Sequence, residues 1–464
     1  MKRLMKSIQT TLLALLVCLA FWQFVALMNN SQDIYRSLKA MVETPAGQQT
    51  EELDLSLFAV PPRMIANLPN GEVALLRSGS AYFQTIWSTV LNGSFRTLTS
   101  LSPAQLRTIS QEEWNTTQPC LVMVLSAPTH LDQYCDSLGI SWLADEGEEV
   151  PVVNRIYVSA MTDNRIFLED AENQVYYALP VECSASVIYT LLKVTQESVY
   201  YAIQPIYMES YGFSTVNPIY SYRTNLYVAA REVKPMALPE LDILANRFFE
   251  DTAMVRTYTD SSDTVTYYDG QRTMKLPEYT TGYVELQLQQ SVNGAKEEQK
   301  PMQAVVSMLN VLQLWSDTSE YIYDGMEKTG ERCTAYYTLI SNGKPIYCTV
   351  KEGIVSGSLT VESKGAKVSS MQLSEPILGA SQRQYLAISS NNALWRLWWQ
   401  WSELFGDQTF EEMPLRDVYE GYLVNEQQDN LQTVWIIEFY NGCKVFYDMI
   451  NGEYAGMQAT VEQR

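Results

Sequence analysis

Side chains able to do chemistry are scarce in this chain, which has one histidine, seven cysteines and ten tryptophans among 464 residues. His130 sits in Ser-Ala-Pro-Thr-His-Leu-Asp (126–132), where a strand hands over to a helix. A catalytic imidazole needs a nucleophile to activate and an acid to orient it, and no Gly-x-Ser-x-Gly elbow is present. A surface place in the first turn of a helix is the simpler role for His130. Glu148-Glu149 and Glu411-Glu412 are adjacent in sequence, and nothing marks either pair as the opposed acids of a glycosidase. No EF-hand loop, phosphate-cradling glycine loop or Cys-x-x-Cys spacing occurs. The expectation is a protein that is not an enzyme, with no catalytic, cofactor-binding or metal residues.

Six cysteines follow the N-terminal segment: Cys120, Cys135, Cys183, Cys333, Cys348 and Cys443. An even count invites disulfides. If Asn342-Gly343 closes a two-residue turn, Cys348 faces Tyr337 and Cys333 faces Glu352. That four-residue offset, at about 3.3 Å per residue, exceeds disulfide reach. Cys120 and Cys135 could meet across a strand–helix contact, but buried thiols are the simpler reading.

The other conspicuous group is Trp395, Trp398, Trp399 and Trp401. On a helix the first three share a face with Ser402, and Trp401 lies away from them. Four indoles cannot enter one small core from one helix. Either neighbouring domains sandwich the helix or one face is a partner surface, where Trp is enriched. Domain packing is the favoured alternative.

The elements that must position these residues are mostly hairpins. Residues 64–67 and 73–76 flank Asn70-Gly71, 265–268 and 272–276 flank Asp269-Gly270, 336–340 and 345–350 flank Asn342-Gly343, and 434–439 and 444–447 flank Asn441-Gly442. Asn-Gly and Asp-Gly suit type I′ turns. Helical spacing is found at 80–91, 129–138, 238–249, 301–314 and 391–405. Hairpins interleaved with helices, without a regular βαβ pattern, predict an α+β protein of antiparallel hairpins packed with helices. Residues 337–347 can be laid beside 436–446, a weak repeat that makes the last two domains similar in topology. The expected divisions are an N-terminal α+β domain at 59–235, a middle one at 236–375 and a C-terminal one at 376–464.

Ahead of these lies an apolar run from Leu12 to Met28, broken only by Gln23 and preceded by Lys2, Arg3 and Lys6. Counted from Ile8 it holds 21 residues. At 1.5 Å per residue that is about 31 Å, enough to cross a bilayer. A cleaved leader competes with this reading, but Ala26-Leu27-Met28 is a poor small-x-small site. The expectation is a cytoplasmic N-terminus at 1–7, a transmembrane anchor at 8–28, and a juxtamembrane helix and linker at 29–58. The cations then stay inside and the bulk of the chain is extracytoplasmic. Within the anchor Ser7, Thr11, Ala14 and Cys18 share one face, where another helix could approach closely. The formal charge of −21 becomes −24 over residues 29–464, once the three N-terminal cations are set aside. Such acidity argues against nucleic acid as a partner.

Several segments together resemble the YycH family of membrane-anchored regulators. They are 119–128 (PCLVMVLSAP), 154–158 (NRIYV), 165–168 (RIFL), 175–177 (VYY) and 336–347 (YYTLISNGKPIY). The most specific is 246–251 (NRFFED) with Val255-Arg256 and 265–272 (VTYYDGQR), similar to the family's F-x-D … R … Y-x-D-G-x-R string. Gly421-Tyr422 and Trp435 resemble its closing glycine-tyrosine and tryptophan. The chain departs from the pattern at Thr433-Val434, where a proline is usual, and in the Trp395–Trp401 cluster, which finds no match. The resemblance implies several α+β domains, two of them topologically alike. It also implies a regulator of a sensor histidine kinase, WalK (YycG)-like, controlling cell-wall metabolism together with a YycI-like one-helix protein. The alternative from the residues themselves is a surface-anchored module that binds a cell-wall fragment or peptide and has no kinase partner.

Overall fold

The computed structural model describes residues 60–458 except 79–80, 91–93, 96, 145–147, 171–173, 198–200, 207, 216, 224, 235–244, 250, 261–263, 277–282, 289–319, 330–331, 342, 352–353, 365–366, 375–376 and 426–429. The expected anchor and its flanks (1–58), with Ser7, Thr11, Ala14 and Cys18, lie outside the described residues, as does the expected helix at 301–314. The chain divides into a short unit, Met1–Glu52, and a large one, Leu53–Arg464, to which all the described residues belong. No helix among the described residues is long and apolar enough to cross a membrane.

Six consecutive residues, Cys120 to Leu125, are all buried, as expected of a strand covered on both faces. Their strand, Cys120–His130, lies in the middle of a nine-stranded antiparallel sheet between Arg63–Asn67 and Val152–Ser159. Alternation sorts the side chains. Met64, Leu121, Met123, Ile156 and Leu168 enter one core with Phe83, Ile86 and Trp87 of the helix Ala81–Val90 and Ile188 and Leu192 of the helix Ala185–Glu197. Ile65, Val122, Val124, Tyr157 and Phe167 enter a second core on the other face, closed by Trp114. The helix Ala185–Glu197 escapes sequence reading because Val187, Ile188, Thr190, Val194 and Thr195 favour strands. Its buried Ile188, Leu192 and Thr195 nonetheless keep helical spacing. The helix expected at 129–138 starts only at Leu131, since Thr129 and His130 still pair with Val153 and Val152.

Apart from a small parallel pair, Ser100–Leu101 with Ser141–Trp142, the remaining strands form a 16-stranded sheet that contains the same device twice. Glu320–Thr329, Arg332–Ser341, Lys344–Lys351 and Ile354–Ser356 make one antiparallel meander. Leu415–Asn425, Asn430–Phe439, Lys444–Asp448 and Tyr454–Gln458 make the other. The segments aligned as a repeat, 337–347 and 436–446, are the central hairpins of these two meanders. Parallel pairing of Lys344–Lys351 with Leu415–Asn425, and of Ile354 with Met457, joins them into one sheet. The strand Tyr227–Lys234 lies between Asn430–Phe439 and Ile377–Leu386. Mixed architecture with many strands and few helices is thus observed.

The expected two-residue loop is kept at Asn342-Gly343, and the other three turns depart from the expectation. Only Ser341 and Lys344 pair directly across Asn342-Gly343, giving the two-residue loop. Around Asp269 the loop is Gly270-Gln271, one residue later, because Tyr268 pairs with Thr273 and the Asp269 carboxylate accepts from the Gln271 and Arg272 amides. At Asn70-Gly71 and Asn441-Gly442 the loop has a third residue. Gly71 N–H donates to Leu68 and Gly442 N–H to Phe439, so each glycine sits after a type I turn. An Asn-Gly pair marks a hairpin but leaves its register open.

Candidate functional site

Where the two sheets meet, the side chains facing one another are charged. The strand Cys120–His130 loses regular pairing between Val124 and Thr129 and runs against Glu320–Thr329. Ser126 Oγ donates to the Tyr323 carbonyl, and Tyr323 OH donates to Gln133 Oε1 at 3.2 Å. Arg416 spans the seam, donating to the Leu125 and Ser126 carbonyls at 2.6 Å each and to Glu438 at 2.5 Å. Arg63 pairs with Asp417 at 2.8 Å and covers the Tyr419 ring. Glu420 receives Arg77 at 2.5 Å and Lys344 at 2.6 Å, one on each carboxylate oxygen. Lys444 reaches both oxygens of Asp324 at 2.9 Å. Farther along, Asn217 donates to Glu169 at 2.6 Å and to Tyr440 at 2.7 Å.

Burial opposes ionisation of Glu420, but the Lys344 and Arg77 cations outweigh it and hold the carboxyl below the usual range. Burial likewise opposes ionisation of Glu438, and Arg416 and Lys444 prevail. Burial disfavours the Lys444 ammonium, yet Asp324, Tyr347 and Glu438 raise its pKa above the ordinary lysine value. Glu420 and Glu438 are thus held ionised by their cations, whereas burial pushes the Asp324 carboxyl up against the pull of Lys444. The seam encloses a cavity of about 30 Å³ lined by Arg63, Arg77, Asp324, Lys344 and Glu420, large enough for water but not for a metabolite. Gly343 closes one side with φ +70°, and a Cβ there would lie 2.6 Å from the Ser78 carbonyl oxygen. The seam is a docking joint between modules.

The second site is the helix Ser390–Phe405, capped by Ser389, whose hydroxyl accepts from the Asn392 amide, and ended at Gly406. Ala393, Leu394, Leu397 and Trp401 are buried against Ile437, Phe439 and Val445. Trp401 Nε1 donates to the Gln408 carbonyl at 2.7 Å. Trp395, Trp398 and Trp399 point the other way and are 48%, 38% and 67% exposed. The four expected tryptophans are thus divided, one in the core and three on the surface. Trp395 and Trp398 stack with centroids 5.2 Å apart and planes 4° apart, and Trp399 stands edge-on to both. Beside them an open cavity of about 410 Å³ is lined by Ile388, Asn392, Trp395, Arg396, Trp399 and Gln400.

The other singled-out residues do not converge. His130 is exposed at a strand end, and Glu148, Glu149 and Glu411 are exposed. Glu412 closes a loop by accepting from Thr409 N–H and Oγ, which lowers its pKa. All six of these cysteines are buried; burial pushes the Cys120 thiol up to about 11 and the Cys443 thiol to about 12. No group of three or more His, Cys, Asp or Glu among the described residues could hold a metal. The motif at 246–272 is scaffolding: Arg272 donates to the Phe248 carbonyl at 2.5 Å, and Phe248 and Phe249 are buried.

None of the charged seam residues is singled out by sequence reasoning. The available signal was a charge set in or beside an apolar run, such as Glu438 in Trp-Ile-Ile-Glu-Phe and Lys444 ahead of Val-Phe-Tyr, all of which are buried.

No family model and no curated protein matches the sequence. Solved structures do match. The C-terminal domain of Bacillus megaterium YpeB aligns with 48% of this chain and 98% of its own length, at 9% identity and a TM-score of 0.27. The crystal structure of YycH from Bacillus subtilis aligns with 88% of this chain and 98% of its own length, at 12% identity and a TM-score of 0.55. The fold of this chain is thus YycH-like.

Proposed function

We propose that this chain is a membrane-anchored, extracytoplasmic regulator of a sensor histidine kinase in a two-component system that controls cell-wall metabolism. The observation that carries the reading is the YycH-like fold over 88% of the chain. The apolar run at 8–28, with cations only before it, supports an anchor that leaves the acidic bulk outside. The kinase is WalK (YycG)-like, and a YycI-like one-helix protein is the second partner. The chain has no catalysis of its own; it works by contact.

The anchor's small-residue face, Ser7, Thr11, Ala14 and Cys18, packs on a kinase transmembrane helix, and the large unit makes contacts outside. A coupling of about 1–3 kcal/mol suffices for a several-fold change in kinase output. Crosslinking in native membranes, followed by identification of the partners, tests the assignment. Recovery of a sensor kinase and a second one-helix protein is the expected result. Recovery of neither, from membranes that contain both and the intact chain, would overturn it.

A further inference from the structure

The exposed indoles have a chemistry that contact with a kinase does not account for. Asn392, Arg396 and Gln400 recur at four-residue spacing and form a polar row along one face of the helix Ser390–Phe405. Trp395 and Trp399 form an indole row beside it. Both rows line the open cavity of about 410 Å³, within the range of about 300–1,000 Å³ usual for ligand sites.

The polar row is held in place from behind. Arg396 Nη2 donates to the Asn451 carbonyl at 3.3 Å, and Gln400 Oε1 accepts from Tyr447 OH at 2.9 Å. Gly452, with φ +74°, allows that approach, because a Cβ there would lie 2.9 Å from Arg396 Nε. Trp435 Nε1 donates to the Ile388 carbonyl at 2.9 Å and fixes the segment that enters the helix. The Gln400 amide keeps its N–H groups for a ligand, and the Asn392 carboxamide has no partner among the described residues.

We propose that this face is a glycan-binding platform that takes an N-acetylated pyranose chain. A flat indole offers its face to the axial C–H groups of a sugar ring, and Trp399, 67% exposed, presents the most open one. Side-chain amides donate and accept at once, which suits hydroxyl and acetamido groups. Among the described residues no carboxylate lines the cavity, so they supply neither the charge to select a cation nor the acid and base to cleave a glycoside. A proline-rich peptide fits less well, since it needs a slot between rings. Trp395 and Trp398 are closed on each other at 5.2 Å, and Trp399 abuts both edge-on.

Calorimetric titration of the full chain in detergent with tetra-N-acetylchitotetraose, and separately with decaproline, tests the site. The expected result is saturable binding of the oligosaccharide alone, weakened at least tenfold in Trp399→Ala and several-fold in Asn392→Ala, with partial retention in Trp399→Phe. Both residues are exposed, and an unchanged melting temperature verifies that the variants fold. No oligosaccharide binding, equal affinity in Trp399→Ala, or decaproline binding that Trp399→Ala abolishes would each overturn the proposal. The titration contains no kinase, so its outcome is independent of the regulatory reading.

Discussion

The seam between the sheets and the tryptophan face invert the usual distribution of side chains. At the seam, Arg416, Glu420, Glu438 and Lys444 are buried and paired. On the helix Ser390–Phe405, three indoles stand in solvent although a core lies one helix face away. A buried charge is tolerated only with its partner, so the seam specifies one mutual placement of two modules more than it adds net stability. An exposed indole contributes little to folding, so its place must be explained by what it touches outside. Charge within is architecture, and the aromatic surface without is the face we propose for recognition.

Stability measurements can break this contrast, and the largest effects are expected at the seam and in the core beneath the helix. Arg416→Ala removes the partner of Glu438 and the donor to two carbonyls, and should cost about 3–5 kcal/mol in denaturant unfolding. Trp401→Ala should cost a similar amount, about 3–5 kcal/mol, by opening a cavity under the helix. If both variants unfold like wild type, the buried network and core are misplaced.

Acid sharpens the same point. The folded-state pKa of Glu420 lies below its unfolded value, so the stability it contributes is full above about pH 4.3 and lost as pH falls through the folded value. A urea-midpoint series over that range should fall for wild type and be shallower for Glu420→Gln, which is less stable at pH 7. Equal slopes would mean that Glu420 is not held ionised by Arg77 and Lys344.

Gly343→Ala should cost about 1–3 kcal/mol, through both its positive φ and the collision with Ser78. The smallest effect belongs to the surface: Trp399→Ala should change stability by no more than about 0.5 kcal/mol. A large loss there would make the proposed recognition face a packing face.

Much of the framework is legible in the order of residues alone. Four of the hairpins are marked by an Asn-Gly or Asp-Gly dipeptide, and the helix Ser390–Phe405 is visible from its spacing. The division of its tryptophans follows from helical geometry, with Trp401 set apart from Trp395, Trp398 and Trp399. Loop length is not legible, because a third residue at Asn70-Gly71 or Asn441-Gly442 depends on which strand residues pair across it. The helix Ala185–Glu197 is hidden by β-branched residues whose cost is met by packing against the first sheet. The seam is hidden more deeply. Arg63 meets Asp417, and Arg77 meets Glu420, across more than three hundred residues of sequence, a separation that no local pattern records.

The regulatory account is tested most directly by the autophosphorylation rate of the WalK-like kinase from the same cell, reconstituted in vesicles with and without the full chain. The account predicts a change of several-fold or more, diminished when Thr11 and Ala14 are both replaced by leucine. An identical rate with and without the chain, at equal kinase content and with the chain present in the same vesicles, would contradict it.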